Sequence, residues 1–287
     1  MSGKCKICEH SVVSHAIAKV RFEYDAHFLK CTRCGFVSVE NPFWLPKAYA
    51  EPINPSDTGY MSRNLWCRDR VRMCIELFLN PSSTFLDYAG GYGVFVRLMR
   101  DAGYDFRWTD AYCENLFARY FEEKLPLASQ FEAITAFEVL EHIEEPMKLF
   151  KELSRLSSCL IVSTDLLPEP APTPGEWWYY GTEHGQHISF YSLATLQRIA
   201  LETGLFLNTD GVSFHVFTKD RLPPKLFNRI DSRLWCTLIP TLRRRESKSQ
   251  SDHLVVSKLE SARKPDGHKD DHSTEPDSPA FRTVEFR

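Results

Sequence analysis

The chain has 287 residues, enough for one large domain or for one of ordinary size with attachments. Its 43% hydrophobic and 13% aromatic content can fill a sizeable core, which excludes global disorder, while 35 basic against 38 acidic residues leave a net charge of -3 and no general attraction to nucleic acid. The first residues, MSGKCKICEHSV, lack an apolar signal-peptide core, and no stretch approaches the ~20 apolar residues of a membrane span, so a soluble cytoplasmic protein is expected.

Residues 1–45 read as a small metal-stapled module of two strands, AIAKVRFE and HFLKC, between two cysteine knuckles. Cys5-x-x-Cys8 and Cys31-x-x-Cys34-Gly35 lie 22 residues apart, and two short turns can bring such pairs together as four thiolates around zinc. Four thiolates fill the zinc shell and leave no position for water, so the ion is expected to be structural or substrate-gating and to supply ~10 kcal/mol or more to a module too short for its own core. The other cysteines, Cys67, Cys74, Cys113, Cys159 and Cys236, are isolated and read as small buried hydrophobes. Residues 46–58 form a Pro-punctuated connector. Residues 59–79 read as an amphipathic helix with Leu65, Val71, Ile75, Phe78 and Leu79 on one stripe, stopped by Asn80-Pro81.

Strand and helix patterns then alternate. TFLDYA, FRWTDAY, a short LFARYFE, FEAITAFEVL and CLIVSTDLL read as strands. YGVFVRLMRDAGY, EEPMKLFKELSRL and SLATLQRIALETGL, the last capped by Ser192, read as helices. LFLNTDG and VSFHVFTK close the set with a turn at Asp210-Gly211, which suits one antiparallel strand added to a parallel sheet. The pattern predicts a doubly wound α/β domain over residues 59–242, with ligands at the carboxyl ends of its strands. Residues 243–287 are polar and are expected to be a disordered tail with a short helix near 254–259; Arg243 to Arg245 read as a solvated run.

The stretch LDYAGGYGV, residues 86–94, joins the first strand to its helix through glycines, where a nucleotide's phosphates or ribose would sit. A dinucleotide fingerprint needs G-x-G-x-x-G, but from Gly91 the chain reads G-Y-G-V-F-V, which disfavours a dehydrogenase. Asp110, seventeen residues after Gly93, is placed to accept hydrogen bonds from ribose hydroxyls. Asp87 discriminates between cofactors: its carboxylate would repel a pyrophosphate and attract the ammonium of S-adenosylmethionine.

LDYAGGYG, the acid in WTDAY, FEAITAFEVLEHI and the late HISFYS together resemble the class I S-adenosylmethionine-dependent methyltransferases over roughly residues 60–219. The resemblance implies a seven-strand Rossmann-like sheet with a final antiparallel strand. It places Asp87 and the backbone of Ala89, Gly91 and Gly93 beside the methionine part, Asp110 at the ribose, and Glu138 near the sulfonium and the acceptor. Ala89 replaces the first glycine of the family's D-x-G-x-G-x-G pattern. The four-cysteine module is similar to one preceding this fold in some deoxysugar C-methyltransferases, which implies a small sugar-type acceptor.

Methyl transfer requires an aligned acceptor and, for a hydroxyl, a base. WWYYGTEHGQHISFYS, residues 177–192, follows the fifth strand and supplies His184 and His187 as candidate bases with Glu183 as partner. Trp177, Trp178, Tyr179 and Tyr180 read equally as a stacking wall or as a packed lid. Glu141-His142, in VLEHI, reads either as reaching the active site or as the start of a helix, with His142 taken as structural, and Arg63 and Arg68 read more as a solvated helical face than as anchors for the cofactor carboxylate. The sequence therefore points to methylation of a small polar acceptor, a sugar or glycan hydroxyl first, with C-methylation of a keto-sugar and a non-catalytic zinc-containing binding protein as alternatives. It does not specify an oligomeric state.

Overall fold

The computed structural model describes residues 3–50 and 57–263. Two sheets organise the chain up to Gln250, which forms one compact unit.

The first sheet is antiparallel. It is built from β1 (Val12–Val20), β2 (Tyr24–Cys31), β3 (Val37–Val39) and β8 (Ser189–Phe190), in that spatial order. β8 comes from a segment about 150 residues further along the chain, so the N-terminal module does not close on itself. Phe36 packs its ring 5.2 Å from Tyr191, and the cysteine knuckles share a buried cluster with Leu86, Leu140 and Leu196. Ser192 caps α5 (Leu193–Thr203) as expected, and its hydroxyl also donates to the Cys34 carbonyl at 2.7 Å. Of the connector, residues 51–56 lie outside the described residues, and Leu45–Ala48 forms a single helical turn, α1.

The second sheet has the order β5-β4-β6-β7-β10-β9. β4 (Thr84–Tyr88), β5 (Asp105–Thr109), β6 (Ile134–Phe137) and β7 (Cys159–Ser163) run parallel. β10 (Phe214–Thr218) enters antiparallel between β7 and β9 (Phe206–Thr209), and the hairpin turn is held by Asp210, whose Oδ1 accepts from the amides of Val212, Ser213 and Phe214. Helices cover both faces, with α2 (Tyr60–Phe78), α3 (Val94–Asp101) and α7 (Arg233–Leu242) on one and α4 (Pro146–Leu156) and α5 on the other. A short turn, α6 (Pro224–Phe227), precedes α7. Because β5 and β6 flank β4 on opposite sides, the chain's winding reverses at β4 and opens a crevice at its carboxyl end.

Three expectations are corrected. Among the described residues the sheet has six strands: the predicted third strand, LFARYFE, is reduced to one parallel bridge between Trp108 and Glu122, because Asn115 accepts the Ala118 amide at 2.8 Å and turns the segment off the edge. On α2 the buried stripe runs through Cys67, Val71, Cys74 and Ile75, while Leu65 is 39% exposed. Arg243 and Arg245 are not merely solvated: both pair with Glu76 of α2, Arg245 at 2.9 Å. The polar tail contains α8 (Ser249–Arg263), which begins at the end of the compact unit, and residues 264–287 lie outside the described residues. Among the described residues no helix is long and apolar enough to cross a membrane.

Candidate active site

The crevice at the end of β4 widens into a cavity of about 990 Å³, at the upper end of ordinary small-molecule sites. Its floor is the glycine loop. Asp87 is buried, accepts from the Thr135 hydroxyl of β6 at 2.6 Å, and is pushed up to about 7 by burial against the pull of that hydrogen bond. A Cβ on Gly90 would lie 2.7 Å from the Asp87 carboxylate and 2.7 Å from the Trp108 ring, so the backbone must pass there without a side chain. Ala89, Gly91 and Gly93 all have positive φ, at 54°, 55° and 82°. Ala89 thus adopts the left-handed conformation that the missing glycine would have taken at no steric cost.

Asp110, at the end of β5, grips the loop from the side. Its Oδ2 accepts from the Gly91 amide at 2.9 Å, and its Oδ1 from the Tyr112 and Cys113 amides at 2.7 and 2.9 Å. Glu138 follows β6 with φ 51°, a strained angle for a side chain of its size. Ser163 of β7 donates to its carboxylate at 2.7 Å, and burial raises its pKa. Arg63 lines the cavity beside it in a two-point pair with Asp57, whereas Arg68 pairs with its neighbour Asp69. Five of the six residues predicted for the cofactor, Asp87, Ala89, Gly91, Asp110 and Glu138, line one end of one cavity, whereas Gly93 caps α3 behind the loop, where a Cβ would meet Asn115 and Ala118.

The other end is made by Tyr49, the 3₁₀ turn Leu140–His142 and the loop before β8. Three imidazoles meet there, His187 lying 4.9 Å from His142 and 4.7 Å from His184 between ring centroids. The backbone fixes which nitrogens are free. His187 Nδ1 lies 2.6 Å from the Tyr179 carbonyl and His142 Nδ1 3.2 Å from the Gln186 carbonyl. A carbonyl only accepts, so both Nδ1 atoms carry the proton and both Nε2 lone pairs are free. His184 is the reverse: its Nδ1 accepts from the Gln186 amide at 3.1 Å, and its Nε2 crowds Gly181. Burial lowers all three pKa values, that of His142 to about 4, which keeps these rings neutral at pH 7. Glu183 is exposed at the rim.

Sequence reasoning left Glu141-His142 between reaching the active site and beginning a helix, leaned to a structural His142, and overlooked Tyr49, Tyr60 and Gln186. The spacing Glu141-His142, directly after a strand that ends at the cofactor loop's level, was the available signal. Of the aromatic run, Trp178 stands 75% exposed on the cavity rim, while Tyr180 is buried against the N-terminal sheet, its hydroxyl 3.4 Å from His15.

In the N-terminal module the four knuckle cysteines are buried with their sulfurs within 4.8 Å of one another, and Cys5–Cys34, Cys8–Cys31 and Cys8–Cys34 are separated by 3.6, 3.5 and 3.6 Å. A tetrahedral zinc with Zn–S of ~2.3 Å sets its sulfurs ~3.8 Å apart, so the donor set fits that ion. Backbone amides of Ile7 and Arg33 point at Cys5 and Cys31, as they do toward thiolates.

The model of a methyltransferase-domain family matches residues 60–208, more than half of the chain. The chain belongs to this methyltransferase family. The matched span runs from the start of α2 into β9 and contains every residue of the cofactor end. No curated protein sequence matches the chain. Among solved structures it is similar to TnmH, at 16% identity over 61% of each chain with a TM-score of 0.43. It is also similar to CalO1, a methyltransferase in calicheamicin biosynthesis in its SAH-bound form, at 12% identity over 56% of this chain and 55% of that one with a TM-score of 0.40. A third is an O-methyltransferase family protein from Burkholderia thailandensis, at 11% identity over 62% and 63% with a TM-score of 0.41. The chain thus spans roughly three fifths of the length of these structures.

Proposed function

We propose that the chain transfers a methyl group from S-adenosylmethionine to a hydroxyl of a small polar acceptor, a sugar or glycan being the best-fitting class. The observation that carries this reading is one cavity with two chemically distinct ends, a carboxylate-lined glycine loop and a neutral imidazole cluster. The loop fits the cofactor: Gly90 leaves no Cβ between Asp87 and the cavity, and Asp110 stands at the end of β5 where ribose hydroxyls reach a carboxylate. When bound, S-adenosylmethionine supplies an electrophilic methyl on a cationic sulfonium.

The chain's own residues then have separable tasks. Asp87 holds an ammonium, Asp110 the ribose, and Glu138 offers a negative charge beside the sulfonium. His187 directs its Nε2 lone pair into the cavity to orient the acceptor hydroxyl and take its proton, with the Tyr179 carbonyl fixing the tautomer. His184 and Glu183 shape the loop that carries it. Trp178 and Tyr49 give apolar faces on which the C–H surface of a sugar can lie. The four cysteines hold a structural zinc that anchors the module behind this loop. Isothermal calorimetry with S-adenosylhomocysteine tests the reading: a one-to-one complex is expected, and no heat would overturn it. Release of S-adenosylhomocysteine across a panel of free sugars and glycosides then identifies the acceptor.

A further inference from the structure

We propose a second metal site, distinct from the four cysteines, in which Glu141, His142 and His187 bind a divalent transition cation on the acceptor side of the cavity. The proposal rests on the reading of this cavity as a methyl-transfer site only for what the cation would do. Its existence is argued from the residues themselves.

Glu141 is fully buried, and among the described residues neither of its carboxylate oxygens makes a hydrogen bond. Charged or neutral, a carboxyl group with both oxygens unsatisfied in a dry interior costs several times what a hydrogen bond contributes, and such groups call for a partner. The Thr164 and Tyr179 hydroxyls, 3.2 Å from one another, face this carboxyl and favour its charged form from beyond hydrogen-bond distance. Imidazole nitrogen also faces Glu141: Oε1 lies 4.0 Å from His142 Nε2, and one donor atom each from Glu141, His142 and His187 fall within 4.8 Å of one another.

The two histidines are wired as metal ligands are. Each donates its Nδ1 proton to a backbone carbonyl, that of Gln186 for His142 and that of Tyr179 for His187, which leaves Nε2 unprotonated. Their rings meet edge to face at 84°. Donors around a cation at roughly 2.1 Å are spaced about 3 Å apart in an octahedron, so each of these side chains needs to move by less than about 1 Å to close the site. The backbone beneath is stapled: the Ile188 amide donates to the Glu141 carbonyl at 2.7 Å, and the Ser189 hydroxyl to the Ile143 carbonyl at 2.7 Å.

Two imidazoles and one carboxylate on one side of an ion select manganese, iron, cobalt or zinc over magnesium, and leave open positions on the opposite side. Here His142 and His187 line the cavity while Glu141 stands behind them, so the open positions face the acceptor and a hydroxyl oxygen would occupy one of them. In that state the His187 lone pair would belong to the cation, and the hydroxyl it acidifies would release its proton to water in the cavity as its oxygen takes the methyl group from the sulfonium.

The test uses the full-length protein with zinc at its cysteines, which harder ions do not displace from thiolate. Elemental analysis and Mn²⁺ titration, followed by the loss of the free-ion EPR signal, should together give one metal equivalent beyond the thiolate-bound zinc. The near-isosteric Glu141→Gln and His187→Ala should each weaken that equivalent at least roughly ten-fold while keeping the wild-type circular dichroism and the thiolate-bound zinc. Wild-type protein that holds a single equivalent and takes up no Mn²⁺ at millimolar concentration overturns the site. So do folded variants that bind Mn²⁺ as the wild type does. Calorimetry with S-adenosylhomocysteine on the same samples separates the two readings: Mn²⁺ binding without S-adenosylhomocysteine binding sinks the methyl-transfer proposal and keeps the metal, and the opposite pattern does the reverse.

Discussion

Ala89 offers the sharpest quantitative test of the loop. Its φ of 54° places an L-residue in the left-handed region, which costs roughly 1–2 kcal/mol that glycine does not pay. Ala89→Gly removes that strain but returns about 0.4–1 kcal/mol of freedom to the unfolded chain, and it also loses a half-buried methyl worth about 0.4 kcal/mol. The balance is a stabilisation of about 0.5 kcal/mol, or a rise in Tm of about 1–2 °C for a compact unit of this size. Ala89→Val moves the other way, because a β-branched side chain is strongly disfavoured at positive φ. A fall of at least about 4 °C is expected. Differential scanning fluorimetry on the cofactor-free protein reads both, and calorimetry with S-adenosylhomocysteine on the same samples should show affinity for Ala89→Gly equal to or slightly above wild type. Had this position ordinary backbone angles, glycine would destabilise and valine would be tolerated. That inversion of sign would refute the left-handed assignment and the account of the loop built on it.

The Asp87 pKa of about 7, far above its value in an unfolded chain, means that stability from this group is fully present below about pH 4 and is lost as pH rises through 7. The difference in Tm between Asp87→Asn and wild type should therefore widen in favour of the mutant from pH 5.5 to 8, since the buried histidines contribute equally to both. Because an ammonium favours the carboxylate, wild-type affinity for S-adenosylhomocysteine should rise over the same range and that of Asp87→Asn should not; a flat wild-type profile would count against contact between Asp87 and the cofactor. Cys8→Ser should lower zinc content by one equivalent and Tm by more than roughly 5 °C, and unchanged metal content would rule out the thiolate site. Trp178→Ala removes a side chain that is 75% exposed, so stability should stay within about 0.5 kcal/mol while KM for the acceptor rises and S-adenosylhomocysteine affinity holds. Unchanged acceptor kinetics would show that the indole is only surface.

The parts of this molecule written in the sequence are those whose causes are local. TFLDYA running into glycines, the two C-x-x-C pairs and the alternation of strand and helix each specify their structure within a few residues, and all are present as expected. Legibility fails where a distant backbone group decides. His142 and His187 became the pair with free lone pairs, and His184 the loop clasp, because of carbonyls and amides at Tyr179 and Gln186 whose positions only the folded chain sets. LFARYFE has the composition of a strand but lost its ladder to one asparagine side chain. The left-handed angle at Ala89 could not be read from an alanine, and the need for a bare backbone at Gly90 came from Trp108 arriving on the neighbouring strand.

The two-residue strand β8 changes what counts as a part of this protein. The loop bearing His184 and His187 is fastened by Arg21, whose amide donates to Thr182 at 2.7 Å, by the Trp44 indole on the Gly185 carbonyl at 2.9 Å, and by the Ala48 carbonyl, which accepts from Gln186 at 2.9 Å. The cofactor end takes its carboxylates and its glycine loop from later segments of the chain, and meets the N-terminal module through packing of Leu86, Tyr88 and Ala89 in the cluster that holds the cysteines and the stacking of Tyr49 on Tyr112. An engineer wishing to exchange acceptor preference would thus have to transplant residues 3–50, 140–143 and 176–192 together, as a lock made of three pieces, keeping the module's packing face toward Leu86, Tyr88 and Ala89 unchanged.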